Sequence, residues 1–177
     1  MTEVMEELEG GLPREGHRAE DGTPGAVVLG SGDYQFHVSG ENWGAKPADW
    51  IYREATAVAI DAKDRVWVFN RGTKPMIVFD ADGTMVDTWD WEQGDGFNNP
   101  HGVTVAPDGT IWCVDNGNNT IKHFTAGGEL LLTLGEADQP TPKMSGQPFS
   151  VPCHVGVDPR TGEFYVADGY SNARVHK

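Results

Sequence analysis

The second half of the chain repeats itself at a fixed spacing, and this repeat limits the folds that the chain can adopt. Moved forward by 45 positions, the segment 65–70 falls on 110–115, and 76–83 falls on 121–128 with a similar apolar pattern. A third, slightly stretched copy covers 155–168. Periods of about 40–50 residues with several short strands in each copy are typical of β-propeller blades.

Each copy has the pattern of four short strands joined by tight turns. Alternating apolar residues predict the strands of the middle copy at 102–106, 110–115, 120–125 and 129–134. The turns between them contain Gly, Asn and Asp, which tolerate the backbone conformations that hairpins need. No helical periodicity of useful length appears in this region. The sequence therefore predicts an all-β protein built from propeller blades.

The repeats account for about three blades. They run over about 55–98, 99–150 and 151–177, and the third is incomplete. A closed propeller needs about 4–8 blades, because an open ring leaves strand edges and blade faces uncovered. We therefore expect 26–177 to be a partial propeller from a longer protein or a truncated product, with 34–38 as the outer strand of an earlier blade. A small complete β-sandwich is the alternative, which the regular spacing disfavours.

Composition argues against several functional classes. The net charge of −14 disfavours binding to nucleic acid or to anionic membranes. Residues 1–25 hold seven acidic and two basic side chains, which predicts a disordered acidic tail. We see neither a secretory signal nor an apolar stretch long enough to cross a bilayer, and the two cysteines, Cys113 and Cys153, indicate no disulfide framework. We therefore expect a cytoplasmic protein.

Two histidines precede strands that would line the central channel of a propeller. His101 follows Pro100, and His154 comes two residues after Pro152. Side chains at the start of successive inner strands converge on the propeller axis, and imidazoles that converge there would suit Zn²⁺. The alternative is that each histidine is simply a residue at a strand end.

Arg71 and Tyr170 each follow the second strand of a repeat. The counterpart of Arg71 one repeat later is an asparagine, so the blade itself does not require a cation there. A guanidinium suits a carboxylate, and an ionised phenol beside a metal or cation could act as a general base. A surface salt bridge and an aromatic cap on the blade are the alternatives. Asp168 repeats Asp115 and Asn70, which predicts a structural turn residue.

Three motifs resemble those of a known family. Phe-Asn-Arg-Gly at 69–72, Pro-His-Gly at 100–102 and Asp-Gly-Tyr-Ser-Asn-Ala-Arg at 168–174 look like motifs of the peptidyl-α-hydroxyglycine α-amidating lyases, most closely the bacterial ones. The resemblance covers about 43–177. It implies a six-bladed β-propeller of the NHL-repeat type, of which about three blades are present.

The resemblance also implies roles for individual residues. Arg71 and Tyr170 match the catalytic arginine and tyrosine, and His101 matches the first zinc histidine. Val58 and Val103 match positions whose backbone carbonyls bind a structural calcium ion. The family cleaves a peptidyl-α-hydroxyglycine into a peptide amide and glyoxylate, with zinc and the tyrosine activating the hydroxyl group. The implied cofactors are therefore zinc and calcium, and the implied substrate is a small peptide or an acyl-α-hydroxyglycine.

The chain departs from the family pattern at several points. The other two zinc histidines and the calcium aspartate of the family come from later blades, beyond Lys177. His154 stands where the family usually has an aspartate, so no zinc role is transferred to it, and Asn70 replaces the usual histidine before the arginine. We therefore expect the 177-residue chain to be inactive by itself and to associate through its open blade edges.

Two other functions remain as alternatives. The first is a non-catalytic NHL propeller that serves as a scaffold for a protein or peptide. The second is a lactonase-like metal hydrolase, which would need carboxylates in the channel as calcium ligands, whereas the inner strands here begin with His and Pro.

Overall fold

The computed structural model describes residues 28–37, 43–51, 53–89 and 96–177. The predicted acidic tail, 1–25, lies outside these residues. The chain divides into two units between Trp43 and Gly44. The described part of the first unit is an antiparallel hairpin of β1 (Val28–Ser31) and β2 (Tyr34–His37). The strand predicted at 34–38 is therefore present, and its place in an earlier blade stays a prediction.

The second unit contains three antiparallel sheets, in which strands adjacent in sequence pair with each other. The first sheet comprises β3 (Ala55–Ile60), β4 (Val66–Asn70), β5 (Met76–Phe79) and β6 (Met85–Thr88). The second comprises β7 (Pro100–Val105), β8 (Ile111–Asp115), β9 (Thr120–Phe124) and β10 (Leu130–Leu134). The third comprises β11 (His154–Val157), β12 (Phe164–Asp168) and β13 (Arg174–His176). Each sheet lies within one of the three sequence repeats, and the described residues form no helix.

Tight turns with glycine at a positive φ connect the strands. Gly83, Gly109 and Gly128 have φ values of 88°, 82° and 85°, a region that other residues rarely adopt. Each of these glycines donates its backbone N–H to the carbonyl three residues earlier, at 2.9–3.0 Å. The Asp-Gly and Gly-Gly pairs of the repeat therefore mark the turns that the sequence predicts.

The apolar core lies between neighbouring sheets. Trp67 of β4 belongs to a cluster with Ile111 and Cys113 of β8. The intervening residue of β8, Trp112, belongs to a second cluster with Val155 of β11. Because successive side chains of a strand point to opposite faces, β8 is buried on both sides. Trp67 and Trp112, which are equivalent in the repeat, are 1% and 6% exposed, so both are blade core as predicted.

The first strands of the three sheets lie side by side. Strand β3 contacts β7, and β7 contacts β11. At the second of these contacts, the Thr104 hydroxyl donates a hydrogen bond to the Val155 carbonyl at 2.5 Å. Two four-stranded sheets and a three-stranded one, stacked with neighbouring first strands, have the arrangement of propeller blades, which confirms the predicted fold class.

Strand β7 begins at Pro100, two residues earlier than the alternating pattern predicts. Pro100 pairs with Asp115, and the register shifts between Pro100 and Val103. Such an irregularity re-aims the side chains next to it. As a consequence, His101 lies inside the strand rather than in the loop before it.

None of the described segments forms a helix with the length and apolar character that a membrane crossing requires.

Candidate active site

His101 of β7 is held by a backbone carbonyl on the third sheet. Its Nδ1 lies 2.9 Å from the Cys153 carbonyl oxygen. A carbonyl oxygen only accepts hydrogen bonds, so Nδ1 must carry the proton. In the neutral ring, Nε2 then has a lone pair and acts as an acceptor. This nitrogen can take a proton or bind a metal.

The hydroxyl group of Tyr170 contacts His101 Nε2. The phenol oxygen of Tyr170 lies 3.2 Å from His101 Nε2, so the hydroxyl donates to the imidazole. The two rings make an edge-to-face contact, with centroids 5.4 Å apart and an interplanar angle of 76°. Tyr170 stands in the turn after β12 and is 67% exposed, so its hydroxyl is open to solvent.

Arg71 extends the site onto the first sheet. It follows the last residue of β4, and its Nε donates to the Pro100 carbonyl oxygen at 3.2 Å. The guanidinium is thereby anchored to the residue that precedes His101. A cavity of about 20 Å³ adjoins Arg71, Phe97 and Pro100, which is room for one water molecule. Among the three residues predicted from separate repeats, His101 and Tyr170 are therefore in direct contact, and Arg71 contacts the backbone of the residue before His101.

Cys153 and His154 complete the surroundings of the site. The thiol of Cys153 packs against Gly169, the residue before Tyr170. A Cβ added to Gly169 would lie 3.4 Å from the sulfur atom. Burial lowers the pKa of His154, and the charge of nearby His101 lowers it further. The Nε2 of His154 lies 3.5 Å from the Thr104 hydroxyl, on the strand that carries His101.

Sequence reasoning did not include Cys153 among the site residues. It contributes through its backbone carbonyl, which carries no sequence signal. The sequence offered one indication that Cys153 lies near the site: the segment 152–154 of the third repeat resembles Pro100-His101 of the second.

The two valines predicted to bind calcium lie on neighbouring inner strands. Val58 of β3 pairs with Val68, and Val103 of β7 pairs with Cys113. The Val103 side chain is buried, whereas that of Val58 is exposed. Strands β3 and β7 are in contact, and calcium coordination by the two carbonyls stays a prediction.

A complete zinc site is not present among these residues. In the part of the chain that the structure describes, no group of three or more His, Cys, Asp or Glu side chains is placed to hold a metal ion. Catalytic zinc commonly has three protein ligands and one open position. His101 supplies one suitable nitrogen, so the described residues alone do not fit the ion.

Comparison with known proteins agrees with the repeats and the stacked sheets. The NHL repeat model matches residues 97–124, which contain strands β7, β8 and β9. A structure of a protein of unknown function from Bacteroides thetaiotaomicron superimposes with a TM-score of 0.50 at 19% identity, covering 64% of this chain and 30% of that one. With three stacked sheets of this pattern, the chain has the fold of β-propeller blades and contains a match to the NHL repeat.

The chain is also similar in sequence to proteins named as peptidyl-α-hydroxyglycine α-amidating lyases or monooxygenases. It is 40% identical over 92 residues to peptidyl-alpha-hydroxyglycine alpha-amidating lyase 1 of Drosophila melanogaster, covering 50% of this chain and 16% of that protein. It is 44% identical over 77 residues to peptidyl-glycine alpha-amidating monooxygenase A of Xenopus laevis, covering 43% of this chain and 8% of that protein. The chain thus matches less than a fifth of the length of each relative. A closest kinship with the bacterial members stays a prediction.

Proposed function

We propose that this chain forms part of a lyase that cleaves a peptidyl-α-hydroxyglycine into a peptide amide and glyoxylate. The observation that carries the proposal is the position of the Tyr170 hydroxyl, 3.2 Å from His101 Nε2, with Arg71 bonded to the carbonyl of Pro100, the residue before His101. The relation to lyases that carry this activity in their names supports the same conclusion.

The reaction needs one proton removed and one proton delivered. Removal of the proton from the α-hydroxyl group lets its oxygen form the carbonyl of glyoxylate, while the bond between Cα and the amide nitrogen breaks. The departing nitrogen takes up a proton and becomes the peptide amide. As a phenolate, Tyr170 could accept the hydroxyl proton of the substrate and return it to the departing amide nitrogen, so that no net proton is gained or lost. Arg71 would bind the carboxylate of the hydroxyglycine, for which a guanidinium is well suited.

We also propose that the complete protein holds zinc and calcium. His101 Nε2 would be one zinc ligand, and the carbonyls of Val58 and Val103 would contribute to the calcium site. The remaining ligands would come from residues other than those described. Zinc, when bound, would supply a Lewis acid for the substrate oxygen. Because zinc would occupy the Nε2 lone pair, it would also break the hydrogen bond from Tyr170.

A scaffold without catalytic activity is the second candidate. The observation that favours it is the incomplete set of metal-binding side chains in the described part of the chain. Such a protein would use the same blades to bind a protein or peptide on one face.

The first prediction separates these two functions. Replacing Tyr170 by Phe in the native protein that carries this segment should lower glyoxylate release from an acyl-α-hydroxyglycine by about 100-fold or more, because the proton acceptor is lost. The matched control is Tyr165→Phe. The Tyr165 hydroxyl donates to Glu163, the residue before β12, so its loss should leave the rate unchanged.

Metal analysis of the same preparation provides an independent measurement. A lyase should contain about one zinc ion per chain, and a scaffold none. Unchanged turnover in the Tyr170→Phe protein would remove this residue from the mechanism. Absence of both zinc and turnover in the native protein would favour the scaffold.

A further inference from the structure

One position at the end of the second strand is occupied by a buried polar residue in all three sheets. Asn70 ends β4, Asp115 ends β8 and Asp168 ends β12. All three are 0% exposed. Burying a polar or charged group is unfavourable unless hydrogen bonds compensate for the lost water. The partners of these three side chains therefore indicate what each of them holds in place.

Asn70 organises the loop that carries Arg71. Its Oδ1 accepts a hydrogen bond from the Gly72 backbone N–H at 2.7 Å. Its Nδ2 donates to the carbonyl oxygens of Lys74 at 2.8 Å and Pro75 at 3.3 Å. The loop offers one donor and two acceptors, so an amide, which both donates and accepts, matches it. Arg71 lies between Asn70 and Gly72, the residue whose N–H the Asn70 side chain binds.

Asp115 holds the segment that leads into His101. Its carboxylate accepts from the backbone N–H groups of Asn98 at 2.5 Å and Asn99 at 2.8 Å. It also accepts from the Gly117 N–H at 3.0 Å. All three partners are donors, which a carboxylate satisfies and an amide cannot. Asn99 is two residues before His101, so this contact sets the path of the chain into β7.

Asp168 holds the turn that carries Tyr170. Its carboxylate accepts from the Ser150 backbone N–H at 2.9 Å and from Asn172 Nδ2 at 2.8 Å. It also interacts with His176 Nε2 at 3.1 Å. Tyr170 lies midway between Asp168 and Asn172, so the turn is fixed on both sides of the tyrosine.

We propose that Asn70, Asp115 and Asp168 are positioning residues of the site, one each for Arg71, His101 and Tyr170. This inference rests on the proposed function for its catalytic meaning. None of the three needs to touch the substrate. Each binds the backbone or side chains within two residues of the group that it positions, and the donors and acceptors of each loop match the residue found there. Misplacing a reacting group by about 1 Å can cost on the order of 100-fold in rate.

The test replaces Asp168 by Asn and measures the contact between Tyr170 and His101. The amide keeps the size of the carboxylate but replaces one of its two acceptor oxygens by a donor, so the donors of Ser150, Asn172 and His176 can no longer all be accepted and the turn should shift. We expect the nuclear Overhauser contact between the two rings to weaken at least about twofold. The matched control is Asp158→Asn, because Asp158 lies in an exposed turn of the same sheet and bonds to Arg160. This variant should keep the contact.

A milder variant keeps the test decisive if Asp168→Asn fails to fold. Asn172→Ala removes one of the partners of Asp168 and should weaken the same ring contact. In the native protein, either variant should lower kcat about 10- to 100-fold with KM within about twofold. A ring contact unchanged in the folded variants would overturn the inference.

The two proposals can fail separately. If the contact weakens in a protein that never releases glyoxylate, positioning stands and the lyase function fails. If the contact weakens while kcat of an active lyase is unchanged, the positioning inference fails and the lyase function stands.

Discussion

The chemistry available to each residue of the site depends on its neighbours in space. His101 can accept a proton at Nε2 because the Cys153 carbonyl holds the other ring proton at Nδ1. Tyr170 donates to this nitrogen because the turn after β12 brings its hydroxyl within 3.2 Å. Neither property is visible from the residue type alone.

The two cysteines should differ sharply in reactivity. Cys113 is 0% exposed, and burial raises the pKa of its thiol well above the ordinary value. Cys153 is partly exposed. We therefore expect a maleimide reagent to label Cys153 in the folded protein and to leave Cys113 unmodified, which peptide mass spectrometry can measure. In denaturant both should react; rapid native labelling of Cys113 would contradict its place between the first two sheets.

At the scale of elements, the site depends on how closely β7 approaches β11. Gly102 of β7 is adjacent to His101, and a Cβ at this position would lie 2.4 Å from the Cys153 carbonyl oxygen. No side chain fits at that distance unless the backbone moves. The absence of a side chain at 102 is therefore what lets the Cys153 carbonyl reach the imidazole.

Substituting Gly102 by Ala should separate the two strands. We expect the free energy of unfolding in urea to fall by about 1–3 kcal/mol, because the added methyl group overpacks this contact. Gly156→Ala is the matched control: Gly156 lies on β11, where an added Cβ would meet nothing within 4 Å. Equal stability of the two variants would mean that β7 and β11 are not in close contact.

At the scale of the molecule, the three sheets of the second unit differ in how their faces are covered. Both faces of β8 are buried in apolar clusters. On the third sheet, Val155 and Val166 are buried against the second sheet, whereas Tyr165 and Val175 on the opposite face are 37% and 71% exposed. An exposed apolar face on a propeller blade favours association.

The chain should therefore self-associate through this face. Replacing Val175 by Asp should shift sedimentation velocity profiles towards the monomer, because a carboxylate cannot be buried there without cost. Val86→Asp, at an exposed position of β6, should leave the distribution unchanged. The net charge of −14 opposes association, so added salt should increase it. A monomer at all concentrations and salt levels would disprove this prediction.

The sequence predicted most of the fold because its determinants are local. The alternation of apolar residues predicted β8 at 110–115, and the strand forms at Ile111–Asp115. The Asp-Gly turn at 108–109 adopts the positive φ that only glycine takes easily. The start of β7 was less predictable. It depends on the pairing of Pro100 with Asp115 on the neighbouring strand, and a register shift separates this pair from the regular pairing that begins at Val103.

By itself, the sequence determined the repeated sheets, their turns and the residue types available for chemistry, because periodicity and turn chemistry act over a few neighbouring positions. It also marked Arg71, His101 and Tyr170 as candidates through their motifs. Only the tertiary structure decided that Tyr170 meets His101 across 69 positions of sequence, and that the Cys153 carbonyl selects the ring tautomer. These contacts arise from packing one sheet on the next, and distances between sheets leave no pattern in the order of residues along the chain.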